Sequence, residues 1–75
     1  MDLKEVVAVN LRRLRHAKGM TQEELAEKAG LSARHIGVIE RAEGSATVTA
    51  LGQIADALEV DASELVRALP SRSQM

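Results

Sequence analysis

Residues 21–41, TQEELAEKAGLSARHIGVIER, leave the chain little choice of local fold. Thr21 carries a hydroxyl that caps a helix, and Glu24 stands three residues later, the spacing of a reciprocal capping box. Leu25, Ala26 and Ala29 then share one apolar face. Gly30 ends that helix, because glycine enters the left-handed region without a Cβ clash. Leu31 is an apolar turn residue, and Ser32 caps a second helix whose inward stripe is Ile36 and Ile39. The second helix is expected to leave Ala33, Arg34, Gly37, Val38 and Arg41 facing outward.

The rest of the chain reads the same way, as five helices and no strands. Asp2 and Glu5 open a first helix with a stripe of Leu3, Val7, Leu11 and Leu14, ending near Lys18-Gly19. Thr47 caps a fourth, with Val48, Leu51, Ile54, Ala55 and Leu58 on one face. Asp61 and Glu64 open a short fifth, which Pro70 stops. An apolar residue precedes each cap and finds an apolar partner at the fourth helical position, the spacing of a hydrophobic staple. The pairs are Met1–Val6, Met20–Leu25, Leu31–Ile36, Ala46–Leu51 and Val60–Leu65. Residues 1–70 are thus expected to form one domain, with 71–75 as a frayed tail.

Composition narrows the class. At 75 residues the chain is near the lower limit for a self-sufficient core. With no Phe, Tyr or Trp, that core must be aliphatic. Without cysteine there is neither a disulfide nor a thiolate metal site. No apolar run approaches membrane-spanning length, and MDLKEVV does not resemble a signal peptide, so a cytoplasmic protein is expected.

A buried support helix followed by an exposed second helix is the geometry that reads a DNA major groove. Net charge argues the other way, at −1. Its distribution softens the objection. Residues 1–45 carry eight Lys and Arg against seven acids, while residues 46–75 carry two against four. The electrostatic contribution to DNA affinity should be modest, so tight binding would need two domains acting together.

Three segments, LRRLRHAKGMTQEELAEKAGLS, Ile39-Glu40-Arg41 and LGQIADALEVDASEL, resemble the Cro and phage-repressor type of helix-turn-helix domain, the XRE type. The likeness spans roughly residues 4–66. It implies a compact five-helix, lambda-repressor-like domain that binds operator DNA, usually as a two-fold dimer. A domain standing alone in this way resembles the small controller proteins of restriction–modification systems. Three positions depart from the family pattern. Ala42 stands where the family has Gly, so Gly44 is expected to take the left-handed position. Glu43 replaces a frequent Lys or Arg close to a phosphate, and Ala46 replaces a Pro before the fourth helix.

The resemblance assigns roles residue by residue. Gln22 implies a phosphate contact at the start of the second helix. Ser32 implies a phosphate contact beside its cap role. Arg34 is the best base reader, since its fork can bond guanine O6 and N7 together, although a phosphate contact or a solvated charge also fits. Ala33 and Val38 suit thymine methyls. Gly37, costly inside a helix, would be explained by close approach to DNA. His35 fits a phosphate or base contact or a plain surface histidine. Arg41 suits the C-terminal helix dipole and a phosphate. Arg15 and Glu40 imply a partly buried ion pair between the first and third helices. On the fifth helix, Ala62, Val66 and Leu69 form a second apolar strip suited to a dimer interface.

No catalytic, cofactor or metal constellation is apparent. His16 and His35 fall on different helices with no carboxylate cluster at metal spacing. The sequence therefore points to an all-α, sequence-specific regulator of transcription, not an enzyme, binding double-stranded DNA as a homodimer with no small-molecule ligand evident. The competing expectation is an antitoxin or adaptor that uses the fold mainly to hold a partner protein. The acidic C-terminal part and Glu43 give that reading its weight.

Overall fold

Four short polar side chains start four helices. Asp2 and Thr21 each accept the backbone N–H three residues on, at 3.0 Å, while Glu5 and Glu24 reach back to the cap's own N–H. Ser32 and Thr47 accept from the His35 and Ala50 N–H groups, also at 3.0 Å. Each bond satisfies a donor that the first helical turn leaves orphaned. The computed structural model describes residues 2–68. Its helices are α1 (Leu3–Ala17), α2 (Gln22–Ala29), α3 (Ala33–Glu40), α4 (Val48–Leu58) and α5 (Ser63–Val66). No strand occurs among the described residues. Met1, Leu69, Pro70 and the expected tail at 71–75 lie outside them.

The C-terminal ends share one device. In α1 to α4 a residue at positive φ follows the helix, and two backbone N–H groups turn back onto orphan carbonyls, a Schellman closure. Gly19 and Gly30 supply two of these positions. Ala42 (φ 57°) and Glu59 (φ 60°) supply the others, against the right-handed preference of L-residues. The expectation that Gly44 would replace the missing glycine is therefore wrong. The Ala42 N–H bonds the Ile39 carbonyl and the Glu43 N–H bonds the Val38 carbonyl, which fixes the turn at Ala42 itself. Gly44 is small for another reason: a Cβ there would stand 2.8 Å from Val38 Cγ1.

Leu11, Leu25, Ile36, Ile39, Ile54, Leu58 and Leu65 are fully buried and bring all five helices into one aliphatic core. Met20, Leu31, Ala46, Leu51 and Val60, the residues assigned to staples, pack partly buried against it. α2 lies on α3 and α4, and α1 lies on α3 and α5. Two apolar assignments fail. Val48 is 86% exposed, because the first position of α4 projects away from the core and Ala50 takes the inward place. Leu3 is 58% exposed and only lines a shallow cleft with Val7, Ile39 and Leu51. The fifth helix is a single turn with no side-chain cap. The Asp61 carbonyl, not its carboxylate, accepts the Glu64 N–H at 2.9 Å.

Asn10 holds that turn in place. It sits on the buried stripe of α1 and is 1% exposed. Its Nδ2 donates to the Leu65 and Arg67 carbonyls, each at 2.9 Å. Among the described residues, no helix is long and apolar enough to cross a membrane.

Candidate nucleic-acid interface

Glu40 is the hub on which α1, α2 and α3 are registered. It is only 3% exposed, at the last position of α3. Arg15 on α1 grips its carboxylate with two nitrogens, Nε to Oε2 at 2.5 Å and a terminal nitrogen to Oε1 at 3.1 Å. Gln22 on α2 donates its amide to Oε1 at 3.0 Å. Arg12 donates to the Glu40 backbone carbonyl at 3.2 Å, and Arg15 also holds the Met20 carbonyl at 2.7 Å. Burial alone would push the Glu40 carboxyl up. The hydrogen bonds from Arg15 and Gln22, with the charges of Arg15 and His16, outweigh it and hold the group below its ordinary range. The hydrogen bond to Glu40 raises the Arg15 guanidinium, against the opposing effect of burial. The Arg15–Glu40 pair thus has the geometry that the resemblance implied, and bidentate pairing gives it directional strictness.

This network changes the reading of Gln22. One of the two N–H donors on its amide nitrogen is used inside the protein. The second N–H of the same amide is left for a phosphate at the start of α2, so Glu40 orients the group.

The second helix of the motif shows a narrower outward face than its sequence suggested. Arg34 is exposed, lies in the first turn of α3, and takes part in none of the ion pairs among the described residues. Ala33 is half-buried and packs against the core. Val38 is half-buried and covers Gly44. His35 is half-buried, and its backbone N–H is the donor that Ser32 caps. The Ser32 hydroxyl keeps its own proton for an outside acceptor.

Gly37 was expected to face outward, but it is buried. Its cover is Arg41, one helical turn on. A Cβ on Gly37 would stand 2.9 Å from an Arg41 terminal nitrogen. Side chains lean toward a helix's N-terminus, so Arg41 runs back over residue 37. Its Nε pairs with Glu43 at 3.1 Å, in an exposed ion pair. Arg34, Val38 and Arg41 thus form the accessible stripe of α3, with the Arg41 guanidinium lying over Gly37.

Sequence reasoning missed three contributors. Asn10 was legible, since 7, 10, 11 and 14 fall on one helical face and a lone amide among aliphatic residues needs partners. Arg12 and Gln53 gave no such signal. Gln53 donates to the Ala29 carbonyl at 3.1 Å, tying α4 to the end of α2. At the start of α5 Ala62 is exposed and at its end Val66 is 38% exposed, while Leu69 lies outside the described residues.

The HTH_3 helix-turn-helix family model matches residues 11–65. A transcriptional regulator of the helix-turn-helix type from Sinorhizobium fredii, y4dJ, is 41% identical over 66 residues, 88% of this chain and 86% of that protein. Control protein C.SmaI from Serratia marcescens is 39% identical over 66 residues, 88% of this chain and 79% of that protein. The crystal structure of the restriction–modification controller protein C.AhdI from Aeromonas hydrophila superposes with a TM-score of 0.80 at 34% identity, covering 83% of this chain and 94% of that one. The chain therefore belongs to the HTH_3 helix-turn-helix family, of the XRE type, and is a DNA-binding regulator of transcription.

Proposed function

We propose that the protein binds a near-palindromic operator as a homodimer, with α3 of each subunit in the major groove and α2 braced above it. The observation that carries this reading is the mounting of α3. One face is locked to α1 and α2 through Glu40. The opposite face offers an exposed arginine in its first turn, the part of a recognition helix that reaches base edges. Arg34 reads a base, Ser32 and Arg41 bind phosphate, and Val38 supplies apolar contact. His35, Ala33 and Gln22 line the margin.

Dimerisation follows from charge. A chain with net charge −1 gains little from counterion release per domain, so two linked half-sites supply what one cannot. Exposed Ala62 and Val66 at α5 are the proposed two-fold contact, together with Leu69 of the sequence's apolar strip, which lies outside the described residues. The likeness to the restriction–modification controller protein C.AhdI and to control protein C.SmaI supports a role in controlling such genes.

Selection from a randomised duplex library, followed by binding isotherms, tests this. Two half-sites one helical turn apart, about 34 Å between centres, are expected. Weak binding indifferent to sequence would instead support an antitoxin or adaptor that mainly holds a protein.

A further inference from the structure

We infer that Glu43 is an intramolecular stand-in for a DNA phosphate: it holds Arg41 over the recognition face until DNA takes its place, and Gly37 is glycine to leave room for that arm. The inference rests on α3 being the groove-facing helix.

Three observations meet at this point. Residues 34, 37, 38 and 41 share one side of α3, so a group lying over Gly37 lies on the accessible stripe. The Arg41 guanidinium occupies that place: a Cβ at 37 would stand 2.9 Å from its terminal nitrogen, so the end of the arm would have to shift. A carboxylate oxygen of Glu43 stands 3.1 Å from Arg41 Nε, and both side chains are more than half exposed. The Glu43 backbone is meanwhile pinned by the Schellman closure, its N–H on the Val38 carbonyl at 3.0 Å. The backbone that carries the acid therefore keeps its place beside the arm.

A carboxylate and a phosphate offer a guanidinium the same two-oxygen acceptor. An exposed pair of this kind is weak enough for a polyanion to displace. Displacement has a signature. Binding releases counterions from the DNA, but the freed Glu43 carboxylate recovers part of them, so the salt dependence is shallower than the number of phosphate contacts implies. The Glu43 charge also disfavours Arg41 on any duplex equally. It thereby suppresses binding outside the operator and leaves discrimination to Arg34.

The test uses the full chain with E43Q, R41Q, G37A, the pairs R41Q/E43Q and R41Q/G37A, and R34A as the control for groove entry. Affinity is measured by fluorescence anisotropy on selected and unrelated duplexes at several salt concentrations. With Arg41 present, E43Q should tighten binding about 2–5-fold on both duplexes and steepen the salt dependence by up to about one unit per recognition helix. In the R41Q background that gain should largely vanish. Equal gain in both backgrounds would mean that Glu43 merely repels DNA, and weaker binding by E43Q would mean that it positions Arg41 productively; either overturns the inference. G37A should weaken binding with Arg41 present and change little with R41Q, while melting no lower than wild type. An equal loss in both backgrounds returns Gly37 to direct contact with DNA. If R34A and R41Q both bind as wild type does, the groove-facing reading of α3 itself fails.

Discussion

Replacing Glu40 with alanine removes the acceptor on which three helices converge. The Arg15 guanidinium would lose two bonds and Gln22 one, while Arg15 keeps the Met20 carbonyl. Breaking a buried pair by removing one partner costs about 3–5 kcal/mol. Arg15 retains some solvent contact, so a loss of about 2–4 kcal/mol is expected. A domain of this length has roughly 4–11 kcal/mol to lose. At roughly 4–8 °C per kcal/mol, the melting temperature should fall by at least about 8 °C. Circular dichroism melts at neutral pH measure this, and base preference on the selected operator should not change. Acid gives a second readout. The folded Glu40 carboxyl lies below its unfolded value, so its stabilising share is complete above the unfolded value and disappears as pH falls through the folded one. E40Q should therefore lose its deficit relative to wild type in acid. An E40A melting temperature within a degree of wild type, or a changed base preference, would refute the reasoning.

Four further outcomes are expected. A42G should stabilise by about 0.5–1 kcal/mol, since the position already stands at φ 57°, and a lower melting temperature would show that the turn is not strained. N10A should cost roughly 1–3 kcal/mol by leaving the Leu65 and Arg67 carbonyls without their donor, and increased amide exchange confined to 63–67 would locate the effect. V66E should sediment as a folded monomer with much weakened operator binding, and a wild type already monomeric on DNA would remove the proposed interface. R34A should relax the operator at one symmetric pair of positions and cost roughly 1–3 kcal/mol per half-site; selectivity retained at every base with a shallower salt dependence would leave Arg34 a backbone clamp.

What the sequence displayed and what it hid divide along a physical line. Caps are local: Asp2, Thr21, Ser32 and Thr47 each bond a backbone group three residues away, so the residue and its spacing carry the whole signal. Register is less local. In α4, apolar residues at 48, 50, 51, 54, 55, 57 and 58 fit two overlapping faces, and only packing decides that Ala50 turns inward and Val48 outward. Ala42 shows a third case. The missing glycine suggested a rearranged turn, but the two closing hydrogen bonds keep the turn and leave an alanine in a left-handed conformation. Side-chain destinations were least legible. Nothing near residue 22 says that its amide will meet Glu40, eighteen residues on. Gly37 announced a close approach, but not that the approaching group was Arg41.

The same destinations bear on how a chain with more acids than bases binds DNA. Arg12 and Arg15 are committed to Glu40, Arg41 to Glu43 and Arg67 to Glu64. Of the arginines among the described residues, Arg13 and Arg34 have no such acceptor, and only Arg34 stands on α3. Four of the nine Lys and Arg among the described residues thus orient helices or wait in a displaceable pair, and with a net charge of −1 the chain has little to attract DNA of any sequence. Such a domain is a poor nonspecific binder by construction. Its selectivity then depends on Arg34 and on duplication across two half-sites, because a second copy multiplies the specific contacts while raising the nonspecific attraction only modestly.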